Sequence, residues 1–158
     1  MKINHRVTAI ISWGLLAAAL IHLCFKWSSM PETTGVHFDG DGNFDVFASK
    51  KFIAYPFIVG IFFLLLLQLA AHSVRKLRIG LKVNAEGEAA FRERIMLLID
   101  ANRLFISLYA VYWAELVIYQ HKLMQQPVAA GMMILFVLLI DVFRMIPVLK
   151  RKYPLSDE

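Results

Sequence analysis

Cysteine is almost missing from this chain: Cys24 stands alone among 158 residues. That count excludes a disulfide scaffold, and it excludes a membrane thiol oxidoreductase, which needs a second cysteine for exchange. Five prolines and eight glycines are too few for a collagen-like or low-complexity chain. Charge is scarce as well, at 18% of residues against about 25% in ordinary soluble domains. What replaces it is apolar: 59% of residues, with a mean hydropathy of +0.60. A soluble domain of this length has too little interior to bury so many apolar side chains, so a second apolar phase is expected. Intrinsic disorder is excluded on the same ground.

A bilayer core requires about 20 mostly apolar residues per helix. Four stretches meet that need, at 7–25, 52–71, 97–119 and 128–149. The second contains the run Phe62 to Leu67, and Pro56 sits in its first turn, where a missing N–H costs little. The third is the least clean. Ahead of it, Phe91, Ile95, Leu98 and Ile99 recur at helical spacing, with Arg92, Glu93 and Arg94 between them. This predicts an interfacial helix running directly into the span, with Asn84 as its cap. Residues 69–82 read as an extension of the second helix ending near Gly80. The short link from Gln120 to Pro127 makes spans three and four antiparallel neighbours. Trp27 and Tyr119 suit one interfacial belt.

Lys2 and Arg6 before an apolar run resemble a secretory signal, and Ala17 to Ala19 offer a cleavage-like triplet. The apolar run continues to Phe25, so an uncleaved anchor is expected. Lys and Arg in the connections set the orientation. One side holds Lys2, Arg6, Arg75, Lys76, Arg78, Lys82, Arg92, Arg94, Lys150, Arg151 and Lys152. The other holds Lys26, Lys50, Lys51 and Lys122. Both termini are therefore predicted to be cytoplasmic. The formal charge of +5 comes from the cytoplasmic segments, which attract anionic lipid rather than nucleic acid.

Residues 26–51 form a long exterior loop, and loops beyond about 12–15 residues are usually functional or disordered. Its stretch MPETTGVHFDGDGNFDVFASKK is rich in Asp and Gly. In order it shows Pro31, Val36-His37-Phe38, Gly42-Asn43-Phe44-Asp45 and Ser49-Lys50. This order resembles the signature of domain-of-unknown-function family 1648, bacterial membrane proteins that carry it between their first two helices. The family usually has a further Pro before the His and Gly-Trp-Gly after the Asp. Here Gly35 and Val46-Phe47-Ala48 stand instead. The resemblance spans about residues 10–70 and implies kinship with the amino-terminal part of Sdp-type immunity proteins, whose longer tail is absent here.

The same loop fits no calcium template. A register from Asp39 puts Phe44 at the glycine position and Lys50 at the last ligand; one from His37 begins on His and ends on Ala48. An Asx-rich turn is the plainer reading. His22, His37 and His121 share the exterior side, but no spacing ties them into a zinc site, and a haem between His22 and His72 would have to cross the membrane.

Ionisable groups inside a span are expensive and mark function by default. Five occur: Asp100, Arg103, Glu115, Asp141 and Arg144. Asp100 and Arg103 are three apart on one helix, as are Asp141 and Arg144, so each pair shares a face. Antiparallel spans three and four would set Asp100 against Arg144 and Arg103 near Asp141, a four-member clamp. A proton or ion path through Glu115 and an inner pair competes with that clamp. An intramembrane enzyme would need a nucleophile beside Asp141 or Glu115, and none is evident. Small multidrug transporters carry an acidic residue in the first span, and this chain has none.

The expected protein is thus all-α: an integral membrane four-helix bundle with a long exterior loop between helices 1 and 2, forming a single domain over residues 1–158. No catalytic residue, metal ligand or cofactor is expected. The expected role is an accessory, immunity or sensing component that binds a protein or peptide partner through His37, Phe38, Asp39, Asp41 and Asp45. The alternative is a small ion- or proton-coupled transporter using charges in helices 3 and 4.

Overall fold

The computed structural model describes residues 4–77 and 80–154. Lys2, Arg78, Asp157 and Glu158 lie outside the described residues. In chain order come α1 (His5–Lys26), β1 (Thr33–Phe38), β2 (Phe44–Ser49), α2 (Ala54–Lys76), α3 (Ala85–Tyr119) and α4 (Gln125–Lys152). Short 3-10 turns at Trp27–Ser29 and Lys50–Ile53 join the strands to α1 and α2.

Each helix is long and apolar enough to cross a membrane. The expected interfacial segment and third span form one helix of 35 residues, α3, which is about 52 Å long at 1.5 Å per residue. Asn84 caps it as expected, its side chain accepting from the Gly87 N–H at 3.0 Å. Asn4 caps α1 the same way, accepting from the N–H groups of Arg6 and Val7. The second helix stops at Lys76, short of Gly80. Leu77 turns extended, and the Arg92 guanidinium, held by Glu88, donates to the carbonyls of Val74 and Leu77. Those carbonyls belong to the end of α2 and have no partner within the helix, so a cation from α3 finishes it.

The four helices are not equal partners. α3 is the hub, with α1, α2 and α4 each packed against it, while α1 and α2 touch one another only briefly. Small residues line the hub and its facing helices: Ser107, Ala110 and Ala114 on α3, Ala19 on α1 and Gly60 on α2. Backbones approach closely there, the usual packing device where lipid removes the hydrophobic drive between helices. The α3–α4 crossing follows the same rule. A Cβ at Gly131 would overlap the ring of Phe105, so only glycine lets α4 sit this close.

The main core lies toward the strands, where Leu16, Leu23, Ile53, Phe57, Trp113 and Val117 are buried together. At the opposite end two smaller groups form, one around Phe91 and Leu149, the other around Ala71 and Met96. α4 is the least covered helix, with Met133, Phe136, Val137 and Phe143 all exposed.

Candidate functional site

The segment between α1 and α2 is an antiparallel β-hairpin rather than an irregular loop. Thr33 pairs with Ser49 and Phe38 with Phe44, and register shifts on either side of His37 bend the ladder. The turn is built by Asp39. Its carboxylate accepts from the N–H groups of Asn43 (2.8 Å) and Asp41 (2.9 Å) and from the Asn43 side chain (3.3 Å). Those donors, the Asn43 N–H first, hold the Asp39 carboxyl below the usual carboxylate range. Gly42 has φ +84°, which a side chain rarely tolerates, and its carbonyl accepts from the Leu123 N–H at 2.8 Å. This is the Asx-rich turn expected from the sequence.

The hairpin is pinned to the rest of the protein at several points. Gly35 donates to the Gln120 side chain (3.1 Å), and the Gln125 side chain donates to the Gly40 carbonyl (2.7 Å). Phe38 stacks on Phe44 at 4.3 Å between centroids and meets the edge of Trp113 at 6.1 Å. At its base Lys50 is buried, donating to the Trp27 carbonyl (3.3 Å) and pairing with Glu32 (2.9 Å). Fixed backbone and fixed aromatics make a rigid platform.

This arrangement divides the five loop residues expected to bind a partner. Phe38 packs inward onto Trp113, and the Asp39 carboxylate is engaged in closing the turn. Asp41 is exposed. His37 Nδ1 and Asp45 Oδ1 lie 2.6 Å apart on the open face, their side chains 65% and 40% exposed. Sequence reasoning missed Val46 and Phe47, which stand 49% and 59% exposed beside them. Asp45, Val46 and Phe47 are exposed in succession, so no alternation marks them in the sequence.

The four-member charge clamp does not form. Asp100 and Arg103 do pair, at 3.1 Å, and both are buried. The third partner is His5 of α1, whose Nδ1 lies 2.5 Å from Asp100 and whose Nε2 lies 3.2 Å from Glu93. Arg103 also donates to the Gln68 side chain (2.7 Å) and the Leu67 carbonyl (3.2 Å) of α2. The cluster therefore ties α1, α2 and α3 together. α4 stays outside it: Asp141 faces Arg94 at 3.6 Å, and no ion pair among the described residues includes Arg144. The reason is that α1 and α2, not α4, cover the face of α3 that carries Asp100 and Arg103. Glu115 lies near the hairpin end beside His22, at 3.8 Å, about 22 Å along α3 from Asp100.

Among the described residues, no group of three or more His, Cys, Asp or Glu side chains is placed to hold a metal ion. No protein-family model, curated protein or solved structure matches this chain.

Proposed function

We propose that this is a multi-pass membrane protein with both termini in the cytoplasm, and that its work is recognition rather than catalysis. Its hairpin, set on the outer face of the membrane, binds a protein or peptide partner. The observation that carries this reading is the platform itself: a β-hairpin pinned to α3 and the α3–α4 link, with His37, Asp41, Asp45, Val46 and Phe47 at its open surface. An exposed apolar pair rimmed by charge is the composition of a contact patch. The membrane setting draws support from the inverse relation between apolarity and cover. The window of α4 has hydropathy 2.4 and is 11% buried, whereas that of α3 has 1.5 and is 33% buried. A water-soluble bundle would show the opposite. The order of Pro31, His37, Gly42 and Asp45 resembles family 1648, and an accessory, immunity or sensing role follows from that likeness.

Proton- or ion-coupled transport has less support. Glu115 and the Asp100–Arg103 pair stand far apart, and α3 between them buries Ala110 and Trp113 in the apolar core. Its check is Glu115→Gln in liposomes, which abolishes a proton-coupled flux if transport is the function.

The test of recognition is a photo-crosslinking amino acid at position 47, in cells of the source organism. One partner band is expected, lost in His37→Ala/Asp45→Ala while the protein still inserts. An unchanged band in that variant, or none in the parent, rejects the hairpin as the contact surface.

A further inference from the structure

At the end of the protein remote from the hairpin, a small polar cavity opens between the first turns of α1 and the last turns of α2. Its volume is about 80 Å³. That is room for a small polar group or ion. Its polar lining is His5 and Arg6 from α1, Gln68, His72 and Arg75 from α2, and Arg103 from α3. No carboxylate lines it among the described residues.

Arg103 brings a fixed positive charge to the wall of the cavity. The residue is 2% exposed, and two of its nitrogens are satisfied by Asp100, Gln68 and Leu67. Its Nε is buried and has no hydrogen-bond partner among the described residues. A guanidinium keeps its charge in any protein setting. Arg6 and Arg75 take part in no ion pair among the described residues. Among the described residues, the carboxylates bonded to this lining are Asp100, shared by Arg103 and His5, and Glu93, which faces His5. Three guanidiniums thus face two carboxylates, and the cavity stays positive whichever way the histidines are protonated.

We propose that this cavity is a phosphate site: it takes one phosphate group, either as the head of an anionic lipid or as free phosphate. Guanidinium groups match phosphate oxygens in a planar fork. Basic pockets between membrane helices on the cytoplasmic side are where phosphate head groups settle. The lipid source rests on the membrane reading above; the free-anion source does not, and neither depends on the hairpin.

The full chain purified in a neutral maltoside detergent tests it. Thermal unfolding is followed while inorganic phosphate or short-chain phosphatidic acid is titrated, with chloride at matched ionic strength as the reference. A ligand that binds only the folded protein raises the midpoint in a saturable way. A rise with both probes assigns the site to the phosphate group itself. A rise with phosphatidic acid alone assigns it to a lipid head, and a rise with phosphate alone to the free anion. In each case Arg6→Gln/Arg75→Gln, two exposed changes that spare the Asp100–Arg103 pair, weakens the response at least tenfold in concentration. Lys150→Gln/Lys152→Gln keeps it. No saturable rise with either probe overturns the proposal, and so does a response that the Arg6/Arg75 variant retains in full.

Discussion

Asp100 holds the inner polar cluster together, because it is the one acceptor shared by Arg103 on its own helix and His5 on another. Arg103 and Asp100 are 3% and 4% exposed at their side chains, so neither charge has water to fall back on. Removing one partner of a buried pair leaves the other unpaired, which costs about 3–5 kcal/mol. Asp100→Asn is therefore expected to destabilise the protein by about that amount in detergent unfolding. Adding Arg103→Met, which removes the stranded cation, restores most of the loss. Adding Arg144→Met restores none, because Arg144 belongs to a different face. Recovery through position 144 instead would revive the clamp between α3 and α4. The Asp100–Arg103 pair was legible in the sequence, since three residues on a helix share a face. His5 was not, because a contact across 95 positions leaves no local trace.

Among the elements, the helices were legible and the hairpin was not. Helices of 22 to 35 residues announce themselves by apolar length alone. The strands are six residues each, and neither shows the period of two in burial that would have marked it. One signal was present: Asp41-Gly42 is a hairpin dipeptide, and Gly42 does take a positive φ. The turn also has an acid limit. Asp39 is held below the usual carboxylate range by the hydrogen bonds that close the turn. A depressed folded-state pKa stabilises the turn fully above the ordinary carboxyl range and ceases to do so as pH falls through the lowered value. Protection of the Asp41 and Asn43 amides from hydrogen exchange is expected to hold at neutral pH, to begin falling as pH drops through the ordinary carboxyl range, and to be lost below the lowered value. In Asp39→Asn the amide oxygen still accepts, protection is lower at neutral pH, and the acid-dependent loss disappears. An acid loss that persists in Asp39→Asn would assign the titration to another group.

At the scale of the whole molecule, the chain is arranged inside out relative to a soluble bundle. Its least apolar helix is the hub, and its charged residues are drawn to α3 and to the ends. That arrangement is compatible with an apolar surround, but it does not by itself choose between the two orientations. Only the Lys and Arg asymmetry chooses between them: Arg75, Lys76, Lys82, Arg92, Arg94, Lys150, Arg151 and Lys152 share the end remote from the hairpin. Charge of this sign is retained on the cytoplasmic side during insertion. The lone native thiol makes the check direct. In a Cys24→Ser background, Asp41→Cys on the hairpin turn is expected to react with a membrane-impermeant maleimide in intact cells. Lys152→Cys, at the end of α4, is expected to react only after lysis. The reverse pattern would put the hairpin in the cytoplasm, and its partner with it. It would leave the phosphate cavity facing the outer leaflet, where free phosphate rather than a cytoplasmic-leaflet lipid becomes the ligand to seek.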